Sequence, residues 1–432
     1  PTKALAQDQL SSLQSLATAV TTPSSLPPCG IACYDGDTPH ALRDHVRDSS
    51  SLLLLNPDML HLSLLPLALT HPQWRAWLTH LKFIVIDEAH VYKGAFGAHV
   101  ALVIRRLLRI CQTLQEEEDE DEDEDEGRKG TSSSLPSSSV VIGPRVVLCS
   151  ATISNPAEHM LNLTGRGGGR EGGREGGVVV IDQDGSPAGG RVVGFWNPAS
   201  VAPPSCEGEE EDEEGGREGG AVTFQRKRSP YKDTARLLAA LVMRGLKTLV
   251  FVKVRYIAEH ILSLTRALLP PSLHRRLASY RAGYLPKERR EVEEGLREGG
   301  LLGVIATNAL ELGVDVGELD VTLHVGFPST ISSLWQQAGR AGRRAGGRKT
   351  DEGGKDQEGG GGEGGRASVP AALAVVIALD GPLDRYLIAH PHEVLSRAVE
   401  PAIADPFNPV CLEGHVWCSV WEMEGGGEEG KE

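Results

Sequence analysis

The 432-residue chain is poor in aromatic residues (5 %), has four methionines and seven cysteines, and contains no run of 18 apolar residues. Without such a run there is no candidate membrane-spanning helix, so no membrane is expected among its partners. Cysteines at 29, 33, 111, 149, 206, 411 and 418 are too sparse, and odd in number, for a disulfide-stapled secreted scaffold. Neither Cys29-x3-Cys33 nor Cys411-x6-Cys418 has the spacing of a four-ligand zinc site. The thiols therefore read as reduced, in an intracellular protein. A basic excess is also missing. The net charge of -15 is odd for a chain that grips nucleic acid, but it is local: Glu116 to Glu126 are eleven consecutive acids, and the stretch 207–214 holds seven more. Setting those 18 aside changes the balance from -15 to +3, so the remainder is near neutral.

What is present is apolar material and glycine. Hydrophobic residues make up 40 % of the chain, enough for cores, and the length fits two or three domains. Four stretches, 116–139, 165–177, 203–220 and 345–366, are dominated by Gly, Glu, Ser, Arg or Lys. Such composition cannot offset the entropy of ordering, so they are expected to be disordered insertions. Their loose Arg-Glu-Gly-Gly units read as loop expansion rather than a solenoid repeat.

Elsewhere short apolar runs alternate with helical spacing. Runs at 52–55, 83–86, 146–148, 248–251, 304–306, 321–325 and 374–378 predict buried strands. Helical spacing occupies 4–17, 100–114, 234–243, 257–268 and 287–298. The alternation predicts an α/β fold with parallel sheets covered on both faces. The strands fall into two clusters, so the expected organisation is a first domain over 1–165, linkers and insertions over 166–227, a second domain over 228–390, and a further C-terminal region over 391–432.

The chemistry is concentrated at strand ends, where ligands bind in open α/β sheets. Phe83-Ile84-Val85-Ile86 runs into Asp87-Glu88-Ala89-His90. A strand-end Asp can hold the water shell of Mg²⁺, and an adjacent Glu can take a proton from an attacking water. Val146-Val147-Leu148-Cys149 leads into Ser150-Ala151-Thr152. Val304-Ile305-Ala306 leads into a polar turn from Thr307 to Gly317, and Gln336-Gln337-Ala338-Gly339-Arg340-Ala341-Gly342-Arg343-Arg344 can clamp phosphates.

Together these strings resemble motifs II, III, V and VI of superfamily 2 helicases. Pro1-Thr2-Lys3-Ala4-Leu5-Ala6-Gln7-Asp8-Gln9-Leu10 resembles motif Ia of the Hrq/YprA (MrfA) group, the RecQ-four-like DNA repair helicases. Tyr34 to Thr38, Asn56 to His61, Tyr280 to Tyr284, Gly326 to Trp335, Pro382 to Tyr386 and the stretch 408–415 resemble further strings of that group.

The resemblance implies two tandem RecA-like domains with ATP hydrolysed between them, ATP and Mg²⁺ as cofactors, and DNA (single strands and duplex forks) as partner. It implies an ATP-dependent DNA helicase of 3′-to-5′ polarity with a repair role. Asp87 would hold Mg²⁺ through water and Glu88 would deprotonate the attacking water. His90, Ser150 and Thr152 would couple nucleotide state to movement. Gln336, Arg340 and Arg343 would face the γ-phosphate, Arg343 as the finger, with Glu311, Gly313 and Asp315 near the same cleft. Thr2, Lys3, Asn56, Thr307 and Asn308 would touch the sugar-phosphate backbone, which suits a motor stepping on any sequence.

Three departures stand against the family pattern. No Gly-x-x-x-x-Gly-Lys-Ser/Thr loop follows a strand anywhere, so the chain reads as a fragment that binds ATP poorly by itself. The family's C-terminal four-Cys zinc module is likewise not among these residues. Val254 stands where the group usually has Ser. The alternatives are an RNA helicase, since backbone contacts are shared, and an ATP-independent nucleic-acid-binding remnant.

Weaker signals have bland readings. Trp196 reads as a packed linker anchor, Trp74 and Trp77 as packed onto their domain, His260, His274 and His390 as ordinary, and the acidic run as solvated. Arg226-Lys227-Arg228 reads as a solvated linker rather than a nuclear import patch, although the acidic and Gly-rich insertions suggest a nuclear protein. Protein partners are not legible.

Overall fold

The computed structural model describes residues 3–20, 30–128, 143–166, 177–183, 185, 190–198, 200–201, 226–281, 283–311, 316–342 and 372–424. They form two compact units, Pro1–Gln183 with Val399–Glu432, and Asp184–Ala398. Most of the insertions read at 165–177, 203–220 and 345–366, together with Cys29 and Cys206, lie outside the described residues.

Unit 1 begins with α1 (Lys3–Val20), β1 (Ile31–Cys33), α2 (His40–Ser49) and β2 (Leu52–Leu54). Next comes α3 (Pro57–Met59), which runs on through irregular helical turns to Leu67, and then α4 (Pro72–Thr79). β3 (Phe83–Ile86), α5 (Gly94–Arg128), β4 (Arg145–Leu148) and α6 (Pro156–Thr164) follow. The strands are parallel as expected, but they form two separate pairs, β1 with β2 and β3 with β4, rather than one sheet. β3 and β4 are not covered on both faces: Phe83, Val85 and Val147 are exposed. The inner side packs Trp74, Leu78, Val103, Leu107 and Leu114 into one core. Trp74 is fully buried, edge-on to Tyr34 and Trp77, and Trp77 donates to the Ser50 carbonyl. Both tryptophans are packing residues.

α5 corrects the reading of the acidic tract. The helix does not stop near Leu114 but continues through the eleven acids to Arg128. Glu is a good helix former, and the first acids find partners: Gln112 donates to Glu116, and Arg75 lies 2.5 Å from Glu117.

Unit 2 holds β5 (Arg191–Trp196), β6 (Ser200–Val201), β7 (Arg226–Lys227), α7 (Pro230–Met243), β8 (Thr248–Phe251) and α8 (Arg255–Leu268). It continues with β9 (Leu277–Tyr280), α9 (Pro286–Arg297), β10 (Gly303–Ala306), β11 (Val321–Val325), α10 (Ile331–Ala338), β12 (Ala372–Ile377), α11 (Pro382–Ala389) and α12 (Pro391–Ser396). Six strands form one parallel sheet in the order β5-β12-β11-β8-β10-β9. β8, β10 and β11 are buried along their whole length, which is why apolar residues dominate them. Leu238, Val242, Val250, Ile261, Ile305 and Leu323 meet in its core.

Two further expectations are corrected here. The stretch 166–227, read as linker, supplies the edge strand β5, and Trp196 at its end is 49 % exposed rather than packed away. Val254 heads α8 with no side-chain cap, where a Ser would supply one. His260 stacks on Tyr256 and His274 meets the Leu269 carbonyl, both local packing roles.

Beyond α12 the chain returns to unit 1 and ends its described part in α13 (Pro409–Met423). This helix is inside out. Its buried face carries His415 and Glu422, while Trp417, Trp421 and Met423 are exposed. The polar face is held because α5 offers it a buried cation, Arg106. Glu422 pairs with Arg106 and with Arg109, and Arg106 Nη1 donates to Nδ1 of both His61 and His415, each at 3.0 Å. No helix of the described residues is long and apolar enough to cross a membrane.

Candidate active site

Asp87 follows the last residue of β3 and Ser150 lies two residues beyond the end of β4, so register alone brings the two motifs side by side. Ile86 opposes Leu148 across the pair, and Cys149 N donates to the Ile86 carbonyl at 2.9 Å. The Cys149 carbonyl in turn accepts from Ala89 N at 2.9 Å. The Asp-Glu-Ala-His turn is thus sewn to the neighbouring strand end.

Within the turn Glu88 has φ 49° and ψ 44°, the one non-glycine left-handed residue among those described. Such a conformation costs about 1 kcal/mol or more and persists only where the surroundings enforce it. Here Asp87 Oδ1 accepts from Glu88 N at 2.9 Å, and Val91 N donates to the Glu88 carbonyl at 3.0 Å. His90 is buried, its Nδ1 lying 3.1 Å from Ser150 Oγ and 3.4 Å from Glu88 Oε2. Burial pushes His90 down to about 4, with Lys93 acting in the same sense and Asp87 against it. It is therefore a neutral imidazole near pH 7, with one ring nitrogen, Nδ1, facing both the Glu88 carboxylate and the Ser150 hydroxyl. Thr152 is buried one turn on, its N–H donating to Ser150 Oγ at 3.4 Å. Burial, followed by the charges of Asp87 and Glu88, drives the Tyr92 hydroxyl up to about 12, so it stays protonated beside the two acids.

Asp87 is half-buried at the mouth of the strand pair. A lone strand-end carboxylate fits Mg²⁺, which keeps several waters and needs one or two protein ligands beside phosphate oxygens. No group of three His, Cys, Asp or Glu set to cage a metal occurs among the described residues. Asn56, expected along the strand path, caps α3: its Oδ1 accepts from Met59 N at 2.7 Å. Lys3 opens α1, with its side chain outside the described residues, and Thr2 lies wholly outside them.

In unit 2 the polar residues converge at the carboxyl ends of β8, β10 and β11. Lys253, Asn308, Ser329 and Gln337 line one small crevice there. Thr307 N reaches the Tyr280 carbonyl at 3.3 Å, and Asn308 is exposed. Behind the crevice runs a buried chain of hydrogen bonds. Thr322 Oγ1 lies 3.1 Å from His324 Nε2, and His324 Nδ1 lies 2.9 Å from Gln337 Oε1. Gln337 Nε2 then donates to Glu311 Oε2 at 2.9 Å. Arg340 donates through Nε and Nη2 to the Glu311 main-chain carbonyl, at 3.2 and 2.7 Å.

Arg340 is 3 % exposed, with Nε and Nη2 turned onto the Glu311 carbonyl, so it braces the start of the motif V turn. Glu311 is part of this brace. Gln336 is half-buried on the same helix, while Gly313, Asp315 and Arg343 lie outside the described residues. Sequence reasoning passed over Gln337 and His324. The sequence signal for them was a His in a strand otherwise of Val, Leu and Thr, and a second Gln beside Gln336. It also passed over Asp384, which is buried and accepts from Phe327 N and Leu379 N, tying the β11 and β12 ends to α11.

His324 makes unit 2 acid-sensitive. It is fully buried, and burial lowers it to about 4 despite the Gln337 bond. A depressed value means the folded state prefers the neutral ring. Its contribution is present above the ordinary value of 6.5 and is lost as pH falls from there towards 4. Acid titration of unit 2 stability is expected to show a loss on the order of 3 kcal/mol over that window, and His324→Asn should flatten it. An unchanged slope in His324→Asn would contradict the assignment.

Comparisons with known proteins agree with this arrangement. Residues 1–160 match the DEAD/DEAH box helicase family, and residues 232–345 match the helicase conserved C-terminal domain. The chain is 35 % identical over 428 residues to the uncharacterized ATP-dependent helicase YprA of Bacillus subtilis, covering 98 % of this chain and 45 % of the relative. It is 32 % identical over 432 residues to the ATP-dependent helicase HRQ1 of Saccharomyces cerevisiae, covering 98 % of this chain and 32 % of that protein. The chain thus spans less than half the length of these relatives. A crystal structure of the DUF1998 helicase MrfA bound to DNA superposes with a TM-score of 0.73 at 35 % identity, covering 98 % of this chain and 45 % of that one. A second MrfA structure, bound to DNA and AMPPNP, matches equally well. With two RecA-like units, the strand-end motifs in place and relatives matched along nearly its whole length, the chain belongs to the Hrq1, YprA and MrfA group of DEAD/DEAH-box helicases.

Proposed function

We propose that the protein of which this chain forms the helicase core is an ATP-dependent DNA helicase with 3′-to-5′ polarity, acting in DNA repair. The observation that carries the reading is the Asp87–His90 turn. A left-handed Glu88 is held at a strand end beside Asp87, and His90 joins it to Ser150 of the next strand. Relatives at about a third identity bearing helicase names, and MrfA structures bound to DNA and AMPPNP, support the choice of substrate and nucleotide.

In this reading Asp87 holds Mg²⁺ through water, and the ion when bound neutralises charge on the phosphates. Glu88 orients a water and takes its proton as the water oxygen bonds to the γ-phosphorus and the bond to the β–γ bridging oxygen breaks. His90, kept neutral by burial, and Ser150 carry the change in hydrogen bonding to the β4 end, with Thr152 beyond. Gln336 and Arg343 of unit 2 serve the phosphates, Arg343 as the finger. Thr2, Lys3, Thr307 and Asn308 lie along the nucleic-acid backbone.

The test is nucleotide hydrolysis and unwinding by the full-length protein. ATP turnover is expected to rise strongly with single-stranded DNA and little with RNA of the same sequence. Duplexes with only a 3′ tail should be unwound and those with only a 5′ tail should not. Stimulation by RNA alone would favour the RNA-helicase reading, and no turnover with either strand would favour an ATP-independent binding protein.

A further inference from the structure

The left-handed Glu88 needs something behind it, and the residue in that place is His159. It sits in the first turn of α6, 70 positions along the chain from the turn it touches, and is fully buried. Its Nε2 lies 3.0 Å from the carbonyl oxygen of Ala89. A carbonyl only accepts, so Nε2 carries the hydrogen and the ring is the Nε2–H tautomer. Nδ1 meets no partner in hydrogen-bond geometry, although the Ala402 backbone is close enough to act on the ring's charge. The histidine is thus a buried donor to the Ala89 carbonyl, which also accepts from Tyr92 N at 3.1 Å and belongs to the Ala89–His90 peptide, one beyond the peptide that joins Glu88 to Ala89.

α6 is itself anchored. Asn155, the residue before it, grips both main-chain groups of Ala402, its Nδ2 donating to the Ala402 carbonyl at 3.2 Å and its Oδ1 accepting from Ala402 N at 2.9 Å. The next residue, Ile403, accepts from Gly94 N at 2.7 Å where α5 begins. Ala404 is buried with Ile86 and Ala89. The approach is close: a Cβ on Gly97 would lie 2.4 Å from the Tyr92 carbonyl oxygen and 3.0 Å from Ala404 Cβ. The segment 402–404, which returns to unit 1 just after unit 2 ends at Ala398, thereby fixes the start of α5 and the start of α6 around the same turn.

We propose that His159 is a positioning residue for Glu88, holding the Ala89 carbonyl so that Glu88 keeps its left-handed backbone, and that the Asn155–Ala402 clasp holds His159 in register. The inference rests on the helicase reading, in which Glu88 receives the proton. By holding the far side of Ala89, His159 limits how the Glu88–Ala89 peptide can turn and so where the Glu88 carboxylate is carried, and a displacement of about 1 Å at such a group lowers turnover by about 100-fold.

The experiment measures DNA-stimulated ATP hydrolysis by the full-length protein and three variants, with circular dichroism and thermal melting on each. His159→Phe keeps a ring of similar volume but has no donor. It should lower kcat by about 10- to 100-fold with KM for ATP within about twofold. His159→Gln restores a side-chain N–H and should recover most of the kcat. Asn155→Ala, which leaves His159 in place, should lower kcat several-fold, again without a change in KM, and stands in if the Phe variant fails to fold. A purely structural histidine would shift the melting temperature in both His159 variants and leave the kcat of folded protein within twofold of the parent, which overturns the proposal. Glu88→Gln separates the two readings. If it alone abolishes turnover while the His159 and Asn155 variants keep theirs, positioning fails and the helicase reading stands. If Glu88→Gln itself turns over normally, the helicase reading fails.

Discussion

Glu88→Gln in the full-length protein is expected to lower DNA-stimulated ATP hydrolysis by about 10²- to 10⁴-fold, the range for removing a positioned general base. The amide matches the carboxylate in shape but takes no proton. The backbone conformation at φ 49° is set by the bonds of the neighbouring peptides to Cys149, Val91 and His159, none of which involves the Glu88 side chain. The melting temperature should therefore stay within a degree or two, and ATP and DNA affinities within a few-fold. Rapid-quench measurement of the hydrolysis step, alongside equilibrium binding of both ligands, distinguishes the outcomes. Loss of binding together with turnover would mean that the side chain supports the turn. Turnover above about a tenth of the parent rate would mean that another group accepts the proton.

Glu422→Ala should produce the largest loss of stability, about 3–5 kcal/mol in unit 1. Arg106 is 5 % exposed and Glu422 is 3 % exposed. Removing the carboxylate leaves a buried guanidinium whose remaining listeners, His61 and His415, are neutral acceptors at 3.0 Å. Neither can neutralise the charge. His415 is held down to about 4, by burial first and then by Arg106, His99 and His61, so near pH 7 it stays a neutral acceptor. Replacing the pair together, Arg106→Met with Glu422→Leu, should recover much of the loss, because no orphaned charge remains. Hydrogen exchange along α5 reports on unit 1 directly, which matters because two units need not unfold as one transition. A Glu422→Ala change below about 1 kcal/mol would show that water reaches Arg106 and that the pair behaves as a surface contact.

Much was determined by the sequence alone. Seven strands were legible because strands of a parallel sheet are apolar on both faces, so composition without periodicity suffices. Five helices were legible from spacing, and the Asp87-Glu88-Ala89-His90 and Ser150-Ala151-Thr152 strings from their place at strand ends. Their mutual contact follows from the β3–β4 register, which the structure supplies. β1, β5, β6, β7 and β9 were missed, β6 and β7 being two residues each. β1 is three residues long, and β5 and β9 mix Arg, Gly, Ser and aromatics into the strand, so no apolar run marks them.

What only the tertiary structure decided is the direction in which polar side chains face. Arg340 sits in a string that reads as a phosphate clamp, and the fold buries it with Nε and Nη2 donating to the Glu311 carbonyl, 29 positions earlier, a contact no local pattern marks. α13 carries Trp, Val and Met that any pattern reading would turn inward. They face out because Arg106, 316 positions before Glu422, had to be neutralised, and an uncompensated buried cation costs more than exposed apolar surface. His159 and Asn155 carry no motif at all. Their meaning lies in Ala89, 70 positions from one, and Ala402, 247 positions from the other. Local sequence encodes secondary structure because its forces are local. The groups that contact the Asp87–His90 turn are brought there by the fold, and the distance along the chain between partners is what hides them.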